Sequence, residues 1–185
     1  EAVVTSAVAL RRDGHACPVV SVGSTPTATF AASFEGVTEV RTGVYVFQDL
    51  VMAGLGVCDV GDIAISVLGS VIGHQRDKGW VITDAGWMAL SRDRGTARQR
   101  IDQGYGVVCD AAGEPIEDLI MVDANQEHGI VARRSGGSLD FGRFPIGSLI
   151  RILPNHACAT AAQHGEYHVV RDGREAGVWE RFRGW

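Results

Sequence analysis

The feature that most limits the possible folds is a change of rhythm near residue 45. Two βα units come first, and short strands follow. Ala2 to Leu10 is rich in Ala, Val and Leu and runs into Arg11, Arg12 and then Gly14, the pattern of a helix ending. Pro18-Val19-Val20-Ser21-Val22 is a continuous β-branched run, which predicts a strand buried on both faces. Gly23-Ser24-Thr25-Pro26 breaks it, with Thr25 placed to cap a helix that begins at Pro26 and runs through Phe30 and Phe34 to Gly36. A second strand starts at Thr38-Glu39-Val40. Helix, strand, helix, strand is the grammar of a parallel βα layer. Two such units cannot close an eight-stranded barrel, which takes about 250 residues, and the chain has 185. Alone they would leave a sheet edge and an apolar face open. The chain is therefore expected to be the C-terminal part of a larger protein or assembly.

From Tyr45 onward helical periodicity is scarce. Ile63 to Leu68 alternates, and Trp80–Thr83, Gly106–Cys109, Leu119–Val122, Gly129–Arg133 and Ser148–Leu153 are further candidate strands. Tyr167–Arg171 and Gly177–Phe182 flank Asp172-Gly173, a strong hairpin signal. Asp84–Ser91 is the one short helix expected in this half. The predicted class is α+β: residues 1–45 form the last βα units of a (β/α)8 barrel, and residues 46–185 form a mainly antiparallel β domain.

Charge and cysteine content narrow the function. The net charge of −5 argues against a nucleic-acid partner, whose phosphates demand a basic surface. No apolar run approaches the roughly 20 residues of a membrane span, and no basic start with an apolar core marks a secretory signal. The expected protein is cytoplasmic, with no membrane partner. Cys17, Cys58, Cys109 and Cys158 are widely spaced with no CxxC pair, so neither a disulfide scaffold nor a zinc ribbon is indicated. The first three read as free thiols. Lys78 is the single lysine among 17 basic residues, so chemistry that needs a lysine has one candidate here or depends on another segment.

Two short segments carry candidate chemistry. Gly23, Ser24 and Thr25 sit in a strand-to-helix turn, where unpaired N–H groups and the helix dipole favour an anion. They fit a phosphate site, and they equally fit an ordinary βα turn with a good N-cap. His156 and Cys158 follow an apolar strand. If the chain stays extended, their side chains share a face and bring an imidazole and a thiolate together, a pair suited to zinc. A strand-end His beside a buried Cys fits as well. His128, in Asn125-Gln126-Glu127-His128-Gly129, belongs to a turn or a site wall, and Tyr105 to a pocket or a strand start. His164 and His168 read as surface residues of the hairpin, and Lys78 as a solvated loop residue.

Five segments in order carry a resemblance. They are Val20 to Thr27; Glu39 to Asp49, which includes Arg41-Thr42-Gly43-Val44-Tyr45; Thr83-Asp84-Ala85-Gly86; Asn125 to Gly129; and Pro154-Asn155-His156-Ala157-Cys158-Ala159-Thr160. Together they are similar to the C-terminal part of the D-serine dehydratase and D-threonine aldolase family, pyridoxal-phosphate enzymes of the alanine-racemase-like group. The resemblance runs from about residue 15 to about residue 170. It implies a barrel followed by a β domain, with Gly23, Ser24, Thr25 and Tyr45 at the pyridoxal 5'-phosphate. It also implies a metal, zinc, held by His156 and Cys158 beside a small D-amino acid. The family's Schiff-base lysine would lie on a segment that this chain lacks, and Lys78 does not match it. No catalytic residue is therefore assigned within the chain, which is expected to be inactive by itself. Arg41-Thr42-Gly43 departs from the proline that often follows this arginine, so that turn is expected to differ.

Dehydratase-like members resemble this chain in carrying Cys at the second metal position, whereas aldolase-like members tend to carry Asp. Cys158 therefore tilts the expectation to dehydration of D-serine to pyruvate and ammonia. The alternatives are a metal-dependent D-threonine aldolase that yields glycine and an aldehyde, and a non-catalytic β module. The expected partners are the N-terminal barrel segment and a second copy in a homodimer.

Overall fold

A computed structural model describes residues 1–182. The last three positions of the expected β domain lie outside the described residues. Helix α1 spans Ala2–Arg12 and closes at Asp13 with Arg11 and Arg12 in its last turn. Strand β1, Ser21–Gly23, leads to helix α2, Thr25–Phe30, and then to strand β2, Glu39–Arg41. Strands β1 and β2 pair in parallel, Ser21 with Glu39 and Gly23 with Arg41, so the predicted helix–strand–helix–strand order holds.

The details differ from the sequence reading. Strand β1 pairs over three residues only, and Val19 is 60% exposed rather than buried. The cap of α2 is Ser24, whose Oγ accepts the Thr27 N–H at 3.1 Å. Thr25 is instead buried and accepts the Tyr45 N–H at 3.2 Å. The helix stops at Phe30, because Ala31 turns extended and Ser33 Oγ takes the Glu35 N–H in a local turn that competes with helix.

Six strands then form a closed antiparallel barrel: β3 Val67–Gln75, β4 Trp80–Thr83, β5 Gly106–Cys109, β6 Pro115–Ala124, β7 Gly129–Arg133 and β8 Leu149–Pro154. Their order around the barrel is β3-β4-β7-β6-β5-β8. Closure removes the edge strands, and register shifts at Val71/Gly73, Val107/Cys109 and Met121/Asp123 supply the local bends that closing a sheet requires. Val71, Val81, Val108, Leu119, Val131, Phe144 and Ile150 fill one part of the interior.

Ile63 and Ile65 precede β3 instead of extending it. They pack against helix α4, Ala157–Gln163, through Ala157 and Ala161. The helix expected over Asp84–Ser91 is a turn, because the Trp87 and Met88 N–H groups donate across to the carbonyls of Asn125 and Gln126 at 2.9 and 3.1 Å. Two short helices escaped the sequence reading, α3 at Leu50–Gly54 and α4 itself. Strands β9 Glu166–Arg171 and β10 Arg174–Glu180 form the predicted hairpin. Its turn holds Asp172 and Gly173 at φ of 51° and 72°, the left-handed geometry that an Asp-Gly turn supplies. No helix among the described residues is long and apolar enough to cross a membrane.

Candidate active site

A cavity of about 550 Å³ opens where the parallel layer meets the end of β8 and the start of α4. At one end are Gly23, Ser24, Thr25 and Arg41. At the other are Asp93, Arg94, Asn155, His156 and Cys158, and Asp49 lies beside this second group, bonded to the Ala157 N–H. The sequence-predicted phosphate turn and metal pair therefore face one space. Tyr45 does not line it. The residue is exposed, and its main-chain N–H donates to Thr25 Oγ1 at this end.

The phosphate end is a strand-to-helix turn whose first helical N–H groups have no partner within α2. Ser24 Oγ holds Thr27 through both its N–H and its Oγ1, at 3.1 and 2.8 Å. Gly23 lies close to β2, since a Cβ there would stand 3.4 Å from the Arg41 carbonyl oxygen. The turn supplies the backbone donors that a phosphate needs, and Gly23 sets its approach to the paired strand.

The metal end corrects one premise of the sequence reading. The chain is extended only as far as His156, which caps α4, and Cys158 lies in the first turn of that helix. The two residues face one cavity because a helix starts between them, and strand alternation plays no part. Asp49 fixes that start. It is 1% exposed, and its Oδ1 accepts the Met52 N–H while its Oδ2 accepts the Ala157 N–H, both at 2.9 Å. Asn155, also 1% exposed, donates to the carbonyls of Gly104 at 2.6 Å and Asp93 at 3.2 Å, and accepts from Thr96 Oγ1 at 2.9 Å. A carboxylate oxygen of Asp93 engages His156 Nδ1. With Nδ1 held, Nε2 is the nitrogen left for a metal, the usual second contact of a metal-binding imidazole.

An imidazole and a thiol suit zinc, and two protein donors leave positions for water or substrate. Among the described residues there is no group of three or more His, Cys, Asp or Glu side chains that could hold a metal. The donor set is therefore open.

The other candidates lie elsewhere. Gln126, Glu127 and His128 are exposed in the turn between β6 and β7, against Gly86. A Cβ on Gly86 would stand 2.5 Å from the carbonyl oxygens of Asn125 and Gln126, and one on Gly129 would stand 2.5 Å from that of Ala85. Tyr105 packs on the core beneath Arg94. Lys78 is exposed, with Nζ 4.6 Å from the centre of the Trp80 ring. His164 is half-buried, its Nε2 at 2.8 Å from the Ala89 carbonyl, whereas His168 is a surface residue as expected. Sequence reasoning missed Asp49, Asp93, Arg94 and Asn155 as site residues. Asp49 and Asn155 stood inside the family-like segments, and an Asp before Leu50-Val51-Met52 is a readable N-cap.

Residues 64–170 match the family model described as "Putative serine dehydratase domain". The chain belongs to the D-serine dehydratase and D-threonine aldolase family. It is 59% identical over 184 residues to a D-threo-3-hydroxyaspartate dehydratase of Delftia sp. (strain HT23), covering 98% of this chain and 48% of that enzyme. It is 32% identical over 173 residues to a D-serine dehydratase of Dictyostelium discoideum, covering 90% of this chain and 42% of that enzyme. The solved Delftia structure superimposes with a TM-score of 0.90 at 58% identity over 98% of this chain and 48% of that one. A variant of the same enzyme has been solved in a metal-free form. An alanine-racemase-like protein of Idiomarina loihiensis gives a TM-score of 0.87 at 48% identity, over 97% of this chain and 48% of that one. The chain thus spans about half the length of these relatives.

Proposed function

We propose that this chain is the C-terminal, metal-carrying part of a pyridoxal-phosphate- and zinc-dependent lyase that dehydrates 3-hydroxy-D-amino acids, with D-serine giving pyruvate and ammonia. The observation that carries this reading is the single cavity shared by the Gly23–Thr25 turn and the His156–Cys158 pair, with His156 held by Asp93. The names of the family members and the metal-free relative support it.

Gly23, Ser24 and Thr25 would hold the cofactor phosphate, with the Tyr45 N–H steadying Thr25. His156 Nε2 and the Cys158 sulfur would hold zinc. When bound, the cofactor supplies an electron sink and zinc a Lewis acid that makes a β-hydroxyl a tolerable leaving group. The chain's own part is orientation. Asp93 sets the imidazole, Asp49 sets the start of α4, and Asn155 pins the Asp93 main chain to the metal-bearing segment. The covalent lysine of such an enzyme would come from outside these 185 residues, since Lys78 is exposed and away from the cavity. A homodimer remains part of the proposal.

The test is product analysis on the full-length protein loaded with pyridoxal phosphate and zinc. Keto acid and ammonia from a 3-hydroxy-D-amino acid, lost on chelation and in His156→Ala, is the expected result. Glycine plus an aldehyde would replace dehydration with retro-aldol cleavage. Unchanged turnover in a stable His156→Ala protein would remove the metal from the mechanism.

A further inference from the structure

The carboxylate that engages His156 is delivered by a loop, residues 93–104, whose two ends are closed by one buried side chain. Asn155 Nδ2 donates to the carbonyls of both Asp93 and Gly104. Asn155 Oδ1 accepts from Thr96 Oγ1, which itself accepts the Gln103 N–H at 3.0 Å. These bonds hold the main chain of the loop and leave the direction of the Asp93 carboxylate open. That side chain is 51% exposed, and among the described residues its carboxylate bonds to His156 alone. Its aim therefore depends on how the body of the loop is seated. The seat is helix α3. Gln99 Nε2 donates to the Val51 carbonyl at 3.1 Å, and a Cβ on Gly95 would stand 2.5 Å from Val51 Cγ2. Gln99 reaches that carbonyl through a notch at Gly54, where a Cβ would stand 2.6 Å from Gln99 Cδ. Gln99 Oε1 is buried there without a hydrogen-bond partner, a cost that a glutamine turned to solvent avoids. The amide keeps its place against α3 although its acceptor goes unpaired.

We infer that Gln99 is a positioning residue for the metal end: seated on α3 through Gly54, it sets the loop from which Asp93 engages His156. The inference rests on the proposed metal reading. Neither Gln99 nor Gly54 lines the cavity, so both act through other residues. Gly54 lies within α3, where alanine is favoured over glycine by propensity, and its missing Cβ serves the seat. The same helix also supports the other ligand. Its cap, Asp49, bonds the Ala157 N–H, and the Val51 N–H points to the Asn155 carbonyl at 3.4 Å. Cys158 is thus placed through Asp49 and α4, and His156 through Gln99, the loop and Asp93. A five-residue helix sets both donors from behind. The rival role for Gln99, fastening the loop for stability alone, predicts a different experimental pattern.

The experiment measures zinc affinity of the full-length protein by competition with a chromophoric chelator. The variants are Gln99→Ala, Gly54→Ala and the two combined, each with Asp93 intact and with Asp93→Ala. Losing the carboxylate partner of a metal-bound imidazole weakens metal binding roughly 10- to 100-fold, which sets the ceiling. With Asp93 intact, Gln99→Ala should lower zinc affinity by about 5- to 10-fold. Gly54→Ala should lower it equally, although the exchange favours a helical α3, because the new methyl expels the amide. The combined variant should bind no more weakly than either. In the Asp93→Ala protein all three should have no further effect. Cobalt-substituted proteins give a second readout: the thiolate band from Cys158 stays, while the ligand-field bands shift in the same order. Unchanged affinity in Gln99→Ala and Gly54→Ala overturns the inference. So does an equal loss in the Asp93→Ala protein, which a merely structural role for Gln99 predicts. Failure of the metal reading looks different, since the parent protein would then bind no zinc or bind it equally well after His156→Ala.

Discussion

Replacing Asp49 by alanine tests the idea that one buried carboxylate sets the geometry of the metal end. The side chain is 1% exposed and accepts two main-chain N–H groups at 2.9 Å, from Met52 in α3 and from Ala157 at the start of α4. Losing the N-cap of α3 costs about 1 kcal/mol. Losing the second bond leaves the N–H of Ala157, a residue with no exposed surface, without a partner, at about 1–3 kcal/mol. Relief of the buried charge offsets part of this, so the net destabilisation should be about 2–3 kcal/mol. In urea unfolding of the full-length protein followed by tryptophan fluorescence, a slope of about 3 kcal/mol per molar turns that into a midpoint lowered by nearly 1 M. Asp49→Asn keeps one acceptor oxygen and should fall between the two. Zinc affinity should drop along the same series, because His156 and Cys158 flank the residue whose N–H is released. An Asp49→Ala midpoint within about 0.2 M of the parent would refute the argument.

Three further outcomes follow from the geometry. Gly86→Ala should destabilise the protein by about 2 kcal/mol, since its Cβ would stand 2.5–2.6 Å from main-chain atoms of residues 125–127; an unshifted melting curve would contradict that close approach. Among the thiols, Cys158 is exposed, while Cys109 is buried and its pKa is pushed up to about 11, first by burial and then by Asp110 and Glu114. Iodoacetamide at pH 8 should therefore label Cys158 and spare Cys109, with zinc slowing the reaction at Cys158; comparable labelling of Cys109 in the native protein would be the contrary result. His168 takes a 2.9 Å bond with Glu175, which raises its pKa above the ordinary 6.5. This pair contributes stability below pH 6.5, which is lost as the pH rises through the raised value. An NMR titration should place the midpoint above 6.5 and return it toward 6.5 in Glu175→Gln.

The barrel strands were legible where β-branched residues lie between glycines and turns, and the ranges Trp80–Thr83, Gly106–Cys109 and Gly129–Arg133 are the same in sequence and structure. Helix α4 was not legible. Seven residues are too few for a helix to signal itself by periodicity, and its first N–H is held by Asp49, 108 positions earlier. The turn at residues 84–91 reads as a helix locally because the N–H acceptors that unwind it, Asn125 and Gln126, come from another hairpin. The site divides the same way. Gly23, Ser24, Thr25, His156 and Cys158 stand in compact local segments. Asp93 lies in an irregular loop, and its partner His156 comes 63 positions later.

The joint between Thr83–Gly86 and Asn125–Gly129 has a consequence for how kinship in this family is judged. Both segments resemble a family fingerprint, yet they meet backbone to backbone through Gly86 and Gly129. Selection for a closed barrel alone is enough to preserve them. A descendant that had exchanged His156 and Cys158 for other residues would still meet the same close main-chain contacts at these glycines. Such a protein would still score as a family member along most of its length. Likeness to the family is therefore written in the joint, and it is independent of which residues stand where β8 gives way to α4.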